Sequence, residues 1–385
     1  MTLRSARGRR IALAVAVLVI VSAVLAGCSD TAKNNRQNSL EPKGPAAQTI
    51  DNLFKPVAVI AILVGIFICV ATVYVGIKFR RRPGNENPKQ VHGNTRLEIG
   101  WTIVPALILA IIAVPSVAAI FKLAEDPGPK ALQVTVVGKQ WWWEFHYPDA
   151  KVVTANELIV PAGRAVNLKL SACESPTDCN VIHSFWVPEL AGKKDVVPGH
   201  DNHLTIEADK PGTFLGQCAE YCGLSHANMR FRVIAKSTDD FDAWLTEQQQ
   251  GPVEPLTVDV PQPDGSSKQE PAGEVQDLLI NTFACAGCHT FDDSSKTSYG
   301  PNLTHLASRT VFASGAYKLN HKNLVDWLLN APSMIPMESE DCRLPPSPTV
   351  TCVGMPSFTE NTPKGQQAMT RAQADQIADF LLGQT

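Results

Sequence analysis

Two stretches of this chain, Val57 to Ile77 and Trp101 to Phe121, carry no formal charge. Each is about twenty residues long, enough to cross roughly 30 Å of hydrocarbon as a helix. Lipid offers the backbone no hydrogen-bond partners, so stretches of this kind are restricted to helix. Between them lies Lys78-Phe79-Arg80-Arg81-Arg82-Pro83, with Lys89 and Arg96 beyond. A short cationic loop belongs on the cytoplasmic side, which makes the pair a hairpin and turns everything after Phe121 outward. An earlier apolar run, Ile11 to Ala26 behind Arg4, Arg7, Arg9 and Arg10, has the build of an export signal and is set aside from the fold. An exported N-terminus agrees independently with that orientation.

The expected division is a signal over 1–27, an outer N-terminal segment over 28–55 and the transmembrane hairpin over 56–122. The signal closes on Leu25-Ala26-Gly27-Cys28, similar to a bacterial lipobox, so Cys28 is expected to be lipidated, with ordinary cleavage at small residues as the alternative. Beyond the hairpin, short runs such as Val134-Thr135-Val136-Val137, Leu158-Ile159-Val160 and His203-Leu204-Thr205-Ile206-Glu207 are punctuated by Pro161-Ala162-Gly163 and Lys210-Pro211-Gly212. They predict an antiparallel sandwich or barrel within 130–250. Residues 251–272 have linker composition. In 273–385 the period becomes helical, over Glu274 to Phe283, Asn323 to Leu329 and Thr370 to Leu382, the last with Thr370 as N-cap. A net charge of -3, with no basic patch interleaved with aromatics, excludes nucleic acid as an expected partner.

The densest chemistry is Cys218-Ala219-Glu220-Tyr221-Cys222-Gly223-Leu224-Ser225-His226-Ala227-Asn228-Met229, with His183 upstream in Ile182-His183-Ser184-Phe185-Trp186. Two thiolates, two imidazoles and a thioether form a soft set suited to copper. One blue copper needs a single Cys, whereas two bridging thiolates can hold two coppers that share an electron. A Cys218-Cys222 disulfide leaves both histidines and Met229 unexplained, and a zinc site leaves Met229 idle.

Residues 50 to 236 resemble cytochrome c oxidase subunit II in hairpin, β domain and motif order. The resemblance implies a cupredoxin-like domain whose dinuclear CuA centre is held by His183, Cys218, Cys222, His226 and Met229 with the Glu220 carbonyl. It also implies that the Glu220 carboxylate reaches a Mg²⁺ or Mn²⁺ ion shared with the catalytic subunit. Leu97-Glu98-Ile99-Gly100-Trp101 is similar to the start of the family's second membrane helix, which makes Glu98 the entrance of a proton path. Gly138-Lys139-Gln140-Trp141-Trp142-Trp143 is similar to the aromatic segment over CuA, with Trp141 as electron entry. Three consecutive tryptophans cannot all point inward on one strand, so some indole surface is expected to be exposed or covered by a partner. Asp195 matches an acid near the catalytic-subunit interface.

Cys285-Ala286-Gly287-Cys288-His289 is the signature of covalent c-type haem attachment, with a redox dithiol as the competitor. Residues 273 to 384 resemble a small all-α monohaem cytochrome c, Tyr299-Gly300-Pro301-Asn302-Leu303 matching its proximal lining. The resemblance implies a methionine as sixth ligand, and Met355 in Gly354-Met355-Pro356 fits best. Met337, Met334, His305 and His321 are rivals, because an insertion with Cys342 and Cys352 separates Met337 from Met355. Setting aside Cys28, Cys69 and the copper and haem cysteines leaves Cys173 with Cys179 and Cys342 with Cys352, two expected loop disulfides. His92, His200 and His203 receive no role.

The sequence thus predicts a multidomain membrane protein of the outer face of the bacterial cytoplasmic membrane, containing no catalytic residue of its own. As the resemblance implies, it passes electrons from haem c to CuA and on to subunit I, whose haem a and CuB reduce O₂ with proton pumping, beside subunit III. The donor is a cytochrome c or a quinol-oxidising complex. A CuA-containing nitric oxide reductase subunit is the alternative, and the quinol oxidase branch has lost the copper ligands.

Overall fold

The computed structural model describes residues 37–80, 83, 92–172, 181–251, 257–261, 266–291, 299–337, 354–359 and 367–383. The signal, Cys28 and both expected disulfides, Cys173 with Cys179 and Cys342 with Cys352, lie outside them. Helices α1 (Pro45–Lys78) and α2 (Thr95–Leu123) form the hairpin, and no residue in the apolar window of either is buried, as suits a lipid-facing surface. Asn94 starts α2 by accepting from the amides of Arg96 and Leu97, and Glu98 Oε1 returns to the Asn94 amide at 3.2 Å.

Helix α1 begins well ahead of the apolar run, so the outer segment expected over 28–55 is partly helical. Pro45 supplies a preset φ at the helix start. The first turns lie on the β domain, where the Ala47 amide donates to the Leu190 carbonyl at 3.1 Å and the Lys43 amide to Glu189 at 2.8 Å. Ala47 and Asp51 are buried there, and Lys55 ion-pairs with Asp51 at 2.5 Å.

The outer domain is two packed five-stranded sheets. One orders β3 (Val152–Ala155), β2 (Trp142–Tyr147), β1 (Leu132–Lys139), β5 (Val166–Ser171) and β8 (Asn202–Ile206). The other orders β4 (Glu157–Pro161), β10 (Arg230–Lys236), β9 (Gly212–Cys218), β6 (His183–Trp186) and β7 (Lys194–Val196). The expected antiparallel sandwich therefore contains two parallel pairs, β1 with β5 and β4 with β10. The cause is that β4 leaves the first sheet to edge the second before β5 returns beside β1. Alternation sets the core face, with Phe231, Val233 and Ala235 of β10 inward. Trp143 meets Phe185 and Phe231 edge-on at 5.5 and 5.4 Å, and Phe185 stacks on Phe231 at 4.3 Å. Helix α3 (Thr238–Gln248), capped by Ser237, lays Trp244 against Tyr147 at 5.3 Å.

The stretch predicted as linker holds a hairpin, β11 (Thr257–Pro261) with β12 (Ser267–Pro271), and β11 lies alongside the last helix. Paired backbone groups replace the solvated coil its composition suggested. The C-terminal domain continues with α4 (Ala272–Asp277), a π turn over Leu278–Thr282, the short ladder β13 (Val311–Phe312) with β14 (Tyr317–Lys318), α5 (His321–Met334) and α6 (Arg371–Gly383). Thr370 and Gln373 form a reciprocal capping box at α6, with bonds of 3.3 and 2.9 Å. Leu279, Phe283, Val325, Leu328, Ile377 and Phe380 close this domain's separate core.

Candidate functional site

Ladder pairing assembles the sulfur and imidazole cluster. Cys218 ends β9 and His183 begins β6, which pair antiparallel through Phe185 and Cys218. The loop after β9 returns through a 3-10 turn, His226–Asn228, to Met229 at the foot of β10, and the Cys218 amide closes it on the Met229 carbonyl at 2.9 Å. Four side chains of one loop thereby meet His183 from a strand 35 residues upstream. Cys218 Sγ lies 3.8 Å from Cys222 Sγ and 3.8 Å from His183 Nδ1. Cys222 Sγ lies 3.6 Å from His226 Nδ1 and 3.7 Å from Met229 Sδ. The Glu220 carbonyl approaches Cys218 Sγ to 3.2 Å, while its carboxylate side is exposed.

Backbone and indole donors hold the loop. Gln140 Nε2 and Trp141 Nε1 both donate to the Cys222 carbonyl, at 2.7 and 3.0 Å. His183 is seated by Gly138, where a Cβ would stand 2.9 Å from its ring, and by Trp143 at 5.9 Å on another side. Ser184, next to His183, donates to Asp195 at 2.8 Å, which ties that acid to the site's scaffold.

The two thiols titrate as one unit. The Cys222 thiol, the His183 ring and the nearby backbone hold the Cys218 thiolate well below the ordinary range, and that anion then pushes Cys222 up. A second thiolate so close to the first needs a cation between them, which the buried donors His183, Cys218 and Cys222 are placed to surround.

All three tryptophans are buried, at 5%, 8% and 0% exposure for Trp141, Trp142 and Trp143. Strand β2 begins only at Trp142, so Trp141 sits in the turn and escapes the strand's alternation. Trp142 is roofed by the Lys139 ammonium, 5.1 Å from its ring. Trp141 packs in the β-domain core, and the chain's own C-terminal domain reaches its backbone, the Ser314 hydroxyl donating to the Trp141 carbonyl.

In that domain Cys285 to Gly287 form a 3-10 turn entered by Ala284 at φ 52. Burial pushes the Cys285 thiol up to about 12 and the Cys288 thiol up to about 11. His289 Nδ1 meets the Pro301 carbonyl at 2.9 Å, which fixes the tautomer and leaves Nε2 for a ligand. Burial, and to a lesser extent the Arg309 charge, lower the pKa of the ring against the opposing Pro301 bond. Gly300 has no room for a side chain, since a Cβ would lie 2.6 Å from His289 Cε1. Thr304 Oγ1, nearby in sequence, is buried without a hydrogen-bond partner among the described residues, which leaves a polar atom free for a bound group.

The rival axial residues separate by surroundings. Met355 packs against the C-terminal core, whereas Met337 packs against the core of the β domain while its sulfur accepts from the Met355 amide at 3.1 Å. Met334 ends α5, His305 is buried, and His321 faces Asp379 at 3.1 Å on the surface. Glu157, a buried acid contacting Thr310, was passed over in the sequence because it merely precedes an apolar run.

Comparison with known proteins agrees in both outer and membrane parts. A family model described as Cytochrome C oxidase subunit II, periplasmic domain, matches residues 132–236, and its transmembrane-domain counterpart matches 32–119. Cytochrome c oxidase subunit 2 of Alkalihalophilus pseudofirmus is 39% identical over 77% of this chain and 82% of its own. The Bacillus subtilis protein of the same name is 32% identical over 84% of this chain and 89% of its own. Quinol oxidase subunit 2 of Bacillus cereus is 35% identical over 55% of this chain and 72% of its own.

Proposed function

The chain belongs to the cytochrome c oxidase subunit II family, and on that premise we propose that His183, Cys218, Cys222, His226 and Met229, with the Glu220 carbonyl, hold its CuA centre. The protein is an electron-transfer subunit of an oxidase complex, held by a two-helix membrane anchor with its copper domain on the outer side. The observation that carries the ligand assignment is the meeting of two thiols, two imidazoles and a thioether at 3.6 to 3.8 Å spacings. When bound, the copper pair supplies a one-electron centre shared by two metals. The residues around it restrict movement. Gln140 and Trp141 pin the loop carbonyl, and Gly138 with Trp143 fixes the His183 ring, so the ligands are preorganised. The same ligand set favours the cytochrome-type reading over the quinol oxidase branch, which lacks it.

Cys285 and Cys288 attach haem c, His289 offers Nε2 as proximal ligand, and Met355 is the sixth ligand in preference to Met337, which faces the other domain. When bound, the haem supplies a second one-electron centre on the same chain. Trp141 is the electron entry to the copper loop, supported by its bond to the Cys222 carbonyl. The exposed Glu220 carboxylate reaches a Mg²⁺ or Mn²⁺ ion shared with subunit I, and Glu98, at the first turn of α2, marks the proton-path entrance. The chain works with subunits I and III in proton-pumping O₂ reduction, fed by cytochrome c or a quinol-oxidising complex. Metal analysis with EPR of the oxidised complex tests this: a mixed-valence signal with hyperfine from two equivalent coppers is expected, and a copper-free protein would sink the assignment.

A further inference from the structure

Glu157 opens β4 with only 3% of its surface exposed. A buried carboxylate is costly unless its oxygens are satisfied. Among the described residues, the donors to this carboxylate both belong to Thr310 of the C-terminal domain. The Thr310 amide reaches Oε1 at 3.2 Å and Oε2 at 3.1 Å, and its hydroxyl donates to Oε1. Arg232, the parallel neighbour of Glu157 on β10, donates from Nη1 to the Thr310 hydroxyl at 3.3 Å. Arg309, next in chain, adds a cation that the Glu157 charge favours. A cationic and hydrogen-bonding loop of one domain thus closes on a buried anion of the other.

That contact anchors a longer seam. Gln248 Nε2 meets Ser308 Oγ at 3.4 Å, Ser314 donates to the Trp141 carbonyl, and Ser225, between two copper-loop ligands, donates to the Pro336 carbonyl. The Thr310 loop leads back through the Arg309 bond to the Asn302 carbonyl, beside the Pro301 carbonyl that holds His289.

We propose that Glu157 is the latch that seats the C-terminal domain over Trp141, a positioning residue for electron transfer from haem to copper that acts through Thr310. Its consequence for electron transfer rests on the functional reading above, while the latch itself rests on the seam. The neighbouring contacts are single neutral hydrogen bonds, whereas this one gathers an amide and a hydroxyl on one buried carboxylate and is charge-assisted, so its loss should open the seam first. A tethered domain without its latch samples many poses, and the productive one becomes rare.

The test uses the full-length protein in its native complex, with Glu157→Ala, Glu157→Gln and Thr310→Val. Hydrogen exchange read by mass spectrometry should rise roughly 10-fold or more in Glu157→Ala over both faces of the seam, Gln140 to Phe145 and Thr304 to Ser314. Exchange in β10 and α6 should stay put, as should the haem and copper spectra. Flash-initiated electron transfer from haem to copper should slow by a similar factor. Glu157→Gln keeps an acceptor for Thr310 and should fall between, and Thr310→Val, on an exposed residue of the other domain, should repeat the loosening in part. Unchanged exchange in Glu157→Ala overturns the latch, and so does exchange that rises throughout the β core while Thr310→Val is silent. An open seam with an unchanged electron-transfer rate overturns the positioning role. Wild-type protein lacking copper or haem would instead overturn the functional reading, with the exchange pattern still deciding the latch.

Discussion

Gly138→Ala tests how tightly the copper site is held by a residue that makes no bond to it. Gly138 lies in β1 opposite Trp143, and a Cβ there would sit 2.9, 3.2 and 3.4 Å from Cδ2, Cγ and Cβ of His183. Restoring ordinary contact takes a shift of roughly half an ångström, about the tolerance of a preorganised site. The ring has little room to give, because Trp143, fully buried, stands on another side and Cys218 Sγ lies 3.8 Å away. Overpacking of this kind costs about 1–3 kcal/mol. The loss of unfolded-chain entropy on replacing Gly returns about 0.4–1 kcal/mol, so a net destabilisation on the order of 1–2 kcal/mol remains. The assay pairs urea unfolding of the copper-loaded protein, followed by loss of copper absorption, with EPR. The midpoint should fall and the copper hyperfine pattern should lose its symmetry. An unshifted midpoint with an unchanged spectrum would refute the wedge.

Cys218→Ser should retain haem but lose the copper absorption, since one bridging thiolate cannot hold the pair; retention of both colours would mean the ligands lie elsewhere. Met355→Leu should yield a haem that binds carbon monoxide readily, whereas Met337→Leu should leave the haem spectrum alone, and the reverse outcome would exchange their roles. Burial opposes ionisation of Glu144, yet the His146 hydrogen bond and the Lys139 charge outweigh it and hold the acid below its ordinary value. The native state therefore gains stability above the ordinary Glu range, near 4.3, and loses it as pH falls through the depressed value. Glu144→Gln should flatten this acid limb in urea titrations run from neutral to acid pH, and an unchanged slope would refute it.

The parts of this molecule legible in sequence are those whose signal is local. Uncharged runs gave the hairpin, the Thr370 cap gave the start of α6, and the spacing from Cys218 to Met229 placed four candidate ligands on one loop. His183 is 35 residues from Cys218, and ligand chemistry, not spacing, joined them. The interdomain contact at Trp141 was invisible because it comes from a serine 173 residues away. The first turns of α1 carry no apolar run, and their helicity follows from bonds to Glu189 and Leu190 across the β domain.

Glu157 shows why interdomain chemistry hides most completely. A glutamate before Leu158-Ile159-Val160 has the pattern of a solvated strand end, and its partner Thr310 is 153 residues away in a loop with no motif of its own. Strand β4 nevertheless buries every position, which an edge strand with free outer surface has no reason to do. Helix α3 packs against the strand and the C-terminal domain covers its first position through Thr310, so the burial of Glu157 is a property of the two domains together. Each domain's periodicity records only its own core. The seam between them rests on a few polar contacts, which composition and spacing do not distinguish from ordinary surface.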